Sequence, residues 1–334
     1  MKPQALIVDT AHLAYRHTAA PGEALYTKKG NMPTKAIYGI INSLNKILNS
    51  NPGIKKVYLC FEGHSKFRYD LYPEYKANRE HNPESPQYKA FVAKDKHGWS
   101  RKDTLRWTIN KIKEIAPKLG LHVVYNEILE GDDCAFALAK QLFGKEDLIF
   151  MTDDKDWQQL IYLFPGSKVY RAMAGEIISQ QNFYETQGIP SNWFIQKKAF
   201  TGDPSDNIKP VVRGAGEKSI QHLINKAIQY GIDPDSPRFF MEIRALIRGM
   251  LETGEVGIFK RHLSGFLEPE AEKNYILNIK LVDFRYCPMP LLLSESIDKP
   301  LHMDFDEAMS ILQELEFDSL FKILKPGSPW FKLQ

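Results

Sequence analysis

Glu130-Gly131-Asp132-Asp133 is followed, roughly twenty residues on, by Asp154-Lys155-Asp156 at the end of the apolar run Leu148-Ile149-Phe150-Met151. Four apolar residues leading into Asp-x-Asp read as a buried parallel strand that delivers carboxylates at its C-terminal end, where open α/β sheets place their sites. The first quartet opens a helical pattern in which Cys134, Leu138 and Leu142 recur every four residues. Its acidic residues fall in the first turn, where the helix dipole favours negative charge. Glu130 and Asp133, three apart, can share a face, and capping accounts for one or two of these carboxylates but not for all. So many at one sheet edge repel one another unless a cation neutralises them. A hard divalent ion with oxygen ligands is the simplest neutraliser.

The same device recurs outward from this stretch. Ala5 to Val8 is an apolar run ending at Asp9, and Val57 to Phe61 one ending at Glu62. For Asp9 taken alone, a loop or capping residue is the simpler reading. Leu121 to Tyr125 reads as a third strand, with Lys168 to Tyr170 and Glu176 to Ile178 as closing strands around Ala174-Gly175. Thr34 to Leu48 carries Ile37, Ile40, Ile41, Leu44, Ile47 and Leu48 at helical spacing, with Thr34 placed to cap. Strands alternating with helices imply an α/β fold, a mostly parallel central sheet covered by helices. From about Asn182 helical patterns dominate, including Phe239 to Leu251, Glu270 to Leu281 and Phe305 to Leu324, the last reading as core. Gly214-Ala215-Gly216-Glu217-Lys218-Ser219 opens another helix; its glycines suit either a phosphate near exposed backbone N–H groups or a plain turn and cap.

Composition narrows the class. At 334 residues with 43% hydrophobic and 25% charged residues, the chain reads as soluble and globular. Cys60, Cys134 and Cys287 have no metal-type spacing, and an odd count argues against a disulfide framework, so a reducing cytoplasm is the expected setting. No signal-peptide pattern and no run of 18 apolar residues is present, so export by that route and membrane spanning are not expected. Net charge is only +3, but its distribution is uneven: His64 to Lys118 has a balance of +6 and Glu127 to Asp156 one of −6. That pairing suits a polyanion held by the first segment and cut at metals bound by the second. Within the basic segment, Tyr69, Tyr72, Tyr75, Tyr88, Phe91, Trp99 and Trp107 are interleaved with Lys and Arg, a composition in which bases stack on rings while cations track phosphates. Asn82-Pro83 and Ser85-Pro86 break any continuous helix there, and part of the segment is expected to order only on substrate.

Taken in order, Asp9, Phe61-Glu62-Gly63, Tyr75-Lys76-Ala77-Asn78-Arg79, the quartet from Glu130, Asp154-Lys155-Asp156, and Gly202-Asp203 through Asp206-Asn207 followed by Gly214 to Lys218 resemble the motifs of the 5′ nucleases. That family includes flap endonucleases and the 5′ nuclease domain of bacterial DNA polymerase. Phe67-Arg68 ahead of Pro73 to Lys76 resembles the phage flap endonucleases, and Leu281-Val282-Asp283-Phe284 within Ile276 to Pro290 resembles both these and the ribonuclease H of T-even bacteriophages. The motifs are dense from Leu6 to Gln229 and thin beyond.

The resemblance implies a PIN/5′ nuclease-like α/β domain over 1–181 with a basic arch insertion at about 64–118. It implies a helical DNA-binding region over 182–334, with a helix-three-turn-helix at about 202–230. Asp9, Glu62, Glu130, Asp132, Asp133, Asp154, Asp156, Asp203 and Asp206 become the ligands, direct or through water, of two Mg²⁺ ions that Mn²⁺ can replace. Asp153 falls where the family uses no ligand. Lys76 and Arg79, with Tyr75, match the base of the arch near the scissile phosphate. Gly214, Gly216, Lys218 and Ser219 match the turn that grips duplex DNA, sometimes with K⁺. Two departures stand out: Glu62 occupies a usual Asp position, and Lys209 to Arg213 lacks the usual glycines and is about one residue longer.

The resulting expectation is a monomeric, metal-dependent 5′-to-3′ exonuclease and flap endonuclease. It would act on 5′ ends of DNA and of RNA in hybrids, including RNA primers, in phage-type replication in a host cytoplasm. A flap-binding protein that does not cut is the alternative. A glycosyltransferase using Asp154-Lys155-Asp156 leaves Asp9 and the basic segment unexplained. The tail Trp330-Phe331 is a candidate docking element for a sliding clamp, with packing back onto the helical region as its counter-reading; a single-strand-binding protein is a second candidate partner.

Overall fold

The structure, a computed structural model, describes residues 2–22, 24–79, 84–288, 301–325 and 327–333. The side chains of Arg79 and Gln87 lie outside the described set, as do Asn82-Pro83, Met289-Pro290, Pro326 and Gln334.

Apolar runs bounded by turns give β1 (Gln4–Asp9), β2 (Ile54–Cys60), β3 (His122–Val124), β4 (Asp147–Met151), β5 (Lys168–Arg171) and β6 (Glu176–Ser179). Their order is β3-β2-β1-β4-β5-β6, parallel throughout except for the β5–β6 hairpin. The first half of the chain supplies the helices α1 (Thr10–Ala19), α2 (Lys35–Ser50), α3 (Lys66–Leu71), α4 (Pro86–Val92), α5 (Arg101–Ile115), α6 (Gly131–Leu142) and α7 (Gln159–Leu163). After β6 come α8 (Phe183–Gln187), α9 (Phe194–Thr201), α10 (Glu217–Gln229), α11 (Phe239–Thr253), α12 (Lys260–Ser264), α13 (Pro269–Val282) and α14 (Phe305–Glu314).

The central strand β1 is buried from Ala5 to Asp9, and its period-two alternation separates two cores. Leu6 and Val8 face α2, α5 and the last described residues of the chain. The seven-residue apolar stripe of α2 holds that helix in place, because each buried Ile or Leu contributes about 1.5–3 kcal/mol. The expected Thr34 cap is not formed; its hydroxyl turns to the Leu25 carbonyl at 3.3 Å, a loss that burial outweighs. Ala5 and Ile7 face α6 and Trp157, and this core runs without interruption into Phe200, Leu223, Ile243 and Phe266 of the helical region. One continuous core therefore fixes the helical region against the ends of the strands.

Two expectations change and one holds. Trp99 and Trp107 are built into the domain: their indole N–H groups donate to the carbonyls of Asn31 (2.9 Å) and Pro33 (3.0 Å), and α5 buries Ile112 and Ile115 against the sheet. Ser85-Pro86 interrupts any continuous helix, as expected, and does so by starting a new one: Pro86 takes the first position of α4, where Ser85 accepts from the Tyr88 N–H at 3.2 Å. The helix expected over Phe305 to Leu324 stops at Glu314. Glu316 adopts φ 56°, Phe317 N–H donates to the Leu312 carbonyl at 2.7 Å, and the Glu316 carboxylate accepts from the Lys28 N–H at 2.9 Å.

That turn sends Phe317, Leu320, Leu324, Trp330 and Leu333 onto the α2 side of the sheet, not onto the helical region. Trp330 is fully buried and its indole N–H donates to Asn45 Oδ1 at 3.1 Å, so it is no docking aromatic; Phe331 remains half-exposed beside Phe305. No helix among the described residues is long and apolar enough to cross a membrane.

Candidate metal centre

β1 ends at Asp9, β2 two residues before Glu62 and β4 three before Asp154, while α6 begins beside them with Glu130 and Asp132. These five residues line one wall of a cleft of about 1480 Å³, with Asp156, Asp203 and Asp206 also in its lining. Eight of the nine expected ligands thus share one cavity.

Asp9 serves as cap and site residue together. One oxygen accepts from the His12 N–H at 2.9 Å, capping α1, and the other from the Thr152 hydroxyl at 2.8 Å. Burial, reinforced by the charges of Asp154 and Asp153, pushes its carboxyl up to about 7 despite those hydrogen bonds. Glu62 reaches the site because Gly63 lets the end of β2 press against residues 126–129; a Cβ at Gly63 would collide with the Asn126 carbonyl. It accepts from the Gly131 N–H at 3.2 Å and is open to the cleft, yet the protein around it, then Glu130 and Asp9, lift its carboxyl to about 7. Asp132, held by the Trp157 indole N–H at 2.6 Å, is pushed well above the carboxylate range by burial and by Asp154 and Glu62.

Glu130 behaves in the opposite way. Burial raises it, but Lys76 and Arg68 outweigh that and hold it low. It accepts from Lys76, from Arg68 at 3.1 Å and from the Tyr75 hydroxyl at 3.0 Å. Asp133 is not in the cleft. It is fully buried and clasped by two Arg68 nitrogens at 2.6 and 2.7 Å, while its carboxylate closes the start of α6 by accepting from the Glu130 N–H. A buried guanidinium needs a buried partner, and this pairing withdraws Asp133 from the expected ligand set. Asp153, set aside on sequence grounds, pairs with Arg16 at 2.5 Å.

The second group stands on the turn after α9. Gly202 takes φ 67°, where a Cβ would meet the Ile208 carbonyl, and Asp203 and Ile208 then exchange backbone hydrogen bonds of 2.9 and 2.8 Å. One oxygen each from Asp156, Asp203 and Asp206 lie within 4.8 Å of one another, a spacing and donor set that fit a hard divalent ion. Lys198, which sequence reasoning missed, inserts its ammonium here: it pairs with Asp156 and, at 2.8 Å, with Asp203. Burial raises the Asp203 carboxyl, but Lys198 prevails and draws it down to about 2. Lys198 lies one helical turn before Gly202, and that spacing from the motif was its only sequence signal.

Tyr75 is buried under the site and bridges its two groups, donating to Glu130 at 3.0 Å and Asp206 at 3.1 Å, so it positions carboxylates rather than meeting a phosphate. Lys76 has φ 56°, fixed by its N–H to the Asp206 carbonyl at 2.9 Å, and its side chain lines the cleft. Gly214, Gly216 and Glu217 lie on the rim of the same cleft. Lys218 is exposed, whereas Ser219 is buried and donates to the Gly216 carbonyl at 2.8 Å, which turns it away from any ligand.

Residues 4–188 match the profile of the 5′-3′ exonuclease N-terminal resolvase-like domain. The chain is 33% identical over 234 residues to the thermostable DNA polymerase I of Thermus thermophilus, a match covering 67% of this chain and 24% of the polymerase. It is 30% identical over 196 residues to a 5′-3′ exonuclease of Buchnera aphidicola, covering 58% of this chain and 61% of that one. The chain therefore spans about a quarter of the length of such polymerase relatives. Among solved structures, the bacteriophage T5 flap endonuclease in complex with DNA and metal ions shares the fold, with a TM-score of 0.59, 18% identity, and coverage of 96% of this chain and 97% of that one.

Proposed function

The chain belongs to the 5′-3′ exonuclease family, and from that premise we propose that it is a structure-specific, divalent-metal-dependent nuclease. It hydrolyses phosphodiester bonds at 5′ ends and flaps of DNA and at RNA primers in RNA–DNA hybrids. The observation that carries this reading is the convergence of eight carboxylates from three strand ends, the start of α6 and the turn after α9 on one cleft. Those eight suit two Mg²⁺ ions, with Mn²⁺ as a substitute.

Asp9, Glu62, Asp132 and Asp154 would hold one ion, with Glu130, already paired with Arg68 and Lys76, joining it through water; Asp156, Asp203 and Asp206 would hold the other. When bound, such ions supply Lewis acidity and neutralise the charge that develops on the phosphate and the leaving 3′ oxygen. The chain's own residues set the stage. Trp157 and Thr152 orient Asp132 and Asp9 by hydrogen bonds. Lys76 offers a cation at the cleft for the scissile phosphate, and Arg79 stands three residues on in the short turn of helix at Ala77–Arg79. The turn at Gly214 and Gly216, whose Gly216 N–H closes on the Gly214 carbonyl at 2.9 Å, brings the start of α10 and the exposed Lys218 charge toward the duplex beyond, with K⁺ as a candidate bridge. The extra methylene of Glu62 is accommodated by its bond to Gly131 N–H. We further propose that the protein acts as a monomer in a phage-type replication setting in the cytoplasm. Trp330, committed to the core, is withdrawn as the element that would dock a sliding clamp, while a single-strand-binding protein stays a candidate partner.

The test is digestion of a 5′-labelled flap duplex and of a nicked RNA–DNA hybrid with Mg²⁺, with EDTA, and with the Asp132→Asn variant. Short 5′ products that require both metal and Asp132 are expected. Binding without cleavage in every metal tried would replace the nuclease by a flap-recognition protein.

A further inference from the structure

Lys198 has two features that a surface lysine lacks. Its side chain is only 16% exposed, and its ammonium touches two carboxylates of a three-carboxylate group whose oxygens already sit at metal-ligand spacing. No exposed residue could replace it there without rearrangement, since Asp156 and Asp203 are themselves only 25% and 16% exposed. A divalent ion that took the same oxygens would have to share them with, or displace, this ammonium. Two cations a few ångström apart repel by several kcal/mol at the effective dielectric of a protein surface, so displacement prevails. The displaced ammonium then needs another anion. The Lys76 side chain already engages Glu130 on the other wall, and Asp153 is engaged by Arg16. The anion that arrives in the cleft is the substrate's own phosphodiester.

We propose that Lys198 is a resident counter-cation that competes with the divalent ion for Asp156 and Asp203 and makes filling of that half of the centre depend on the substrate. This deepens the nuclease reading and rests on it for the identity of the substrate. The polyanion draws the ammonium off the carboxylates, the ion replaces it, and Lys198 becomes a phosphate contact. Its role is therefore one of positioning and timing: it withholds the complete pair of ions until a backbone is present.

The experiment counts Mn²⁺ bound to the 334-residue chain by electron paramagnetic resonance, with and without a non-hydrolysable phosphorothioate 5′-flap duplex. The native protein is expected to bind one ion tightly and a second more weakly, the second tightening when the duplex is added. Lys198→Met is expected to tighten the second ion about tenfold without DNA and to lose the duplex dependence, because the Asp156 and Asp203 oxygens are then free of a competing ammonium and the incoming ion meets no neighbouring cation. Lys198→Arg keeps the charge and should keep the weak second site. If Lys198→Met does not fold in EDTA, Lys198→Gln, which can still hydrogen-bond both carboxylates, is expected to show the same tightening. A second site left unchanged or weakened in the neutral variants overturns the proposal. Failure of the native protein to bind any Mn²⁺ would instead remove the metal centre, and with it the nuclease reading.

Discussion

The two halves of the acidic cleft solve one electrostatic problem in opposite ways. On the sheet side, Asp9, Glu62, Asp132 and Asp154 form no ion pair among the described residues, since the Lys76 ammonium there is engaged by Glu130, and all four carboxyls are displaced upward, Asp9 and Glu62 to about 7. The helical-side group has Lys198 between Asp156 and Asp203, and Asp203 is displaced downward to about 2. Carboxyls crowded at a strand end are pushed toward the protonated form, whereas Asp203, given a lysine, is held toward the ionised one. The same residue type in the same cleft is thus poised to release protons on one side and to release an ammonium on the other.

The most direct way to break this contrast is to neutralise one carboxylate on each side. Asp132→Asn should lower single-turnover cleavage of a 5′ flap by about 10²–10³-fold, and Asp206→Asn by about 10–100-fold. Equal losses would mean that the halves are not distinct. Arg68 belongs structurally to the sheet side, through Asp133 and Glu130. Arg68→Ala leaves Asp133 buried without a partner and should cost about 3–5 kcal/mol in urea unfolding; a loss under 1 kcal/mol would show that Asp133 finds another neutraliser. Trp157→Phe removes one hydrogen bond to Asp132, and about a tenfold weaker first-ion affinity is expected by Mn²⁺ titration.

The subtlest test is the slope of stability against pH in EDTA. Asp9 and Glu62 have folded values above their unfolded ones, so between about pH 4 and 7 the native state binds more protons than the unfolded chain. Their contribution therefore falls as pH rises through that window, and saturating Mg²⁺ should remove the fall. Asp203 has the reverse sign: its contribution is present above about pH 4 and is lost as pH drops toward 2. Thermal unfolding at a series of pH values, for the native chain and for Asp9→Asn, separates the two.

How much of this could be read from the chain follows from the range of the contacts. Each sheet-side carboxylate announces itself locally, as an acid just beyond an apolar run or in the first turn of a helix, and all six strands were legible for the same reason. The decision between Asp132 and Asp133 was not legible, because it is made by Arg68 from a helix more than sixty residues away. Lys198 carries no periodic signal, and its meaning depends on Asp156, on a different element. The end of α14 depends on Glu316 meeting the backbone of Lys28 and Lys29, a contact no local propensity encodes. Nor did the aromatic content of the arch distinguish rings free for bases from Trp99 and Trp107, whose N–H groups found carbonyls near residue 32.

The burial of Trp330 against α2 ties the order of synthesis to the order of closure. Leu6, Ile37 and Leu44 leave the ribosome early, but the cover over their side of the sheet comes from Leu312, Leu320, Trp330 and Leu333. The nascent chain therefore carries an open apolar strip along its oldest helices until its last described residues have emerged. Over that interval the strip is the kind of exposed apolar surface on which chaperones act, and the α2 side of the sheet cannot close before those residues arrive.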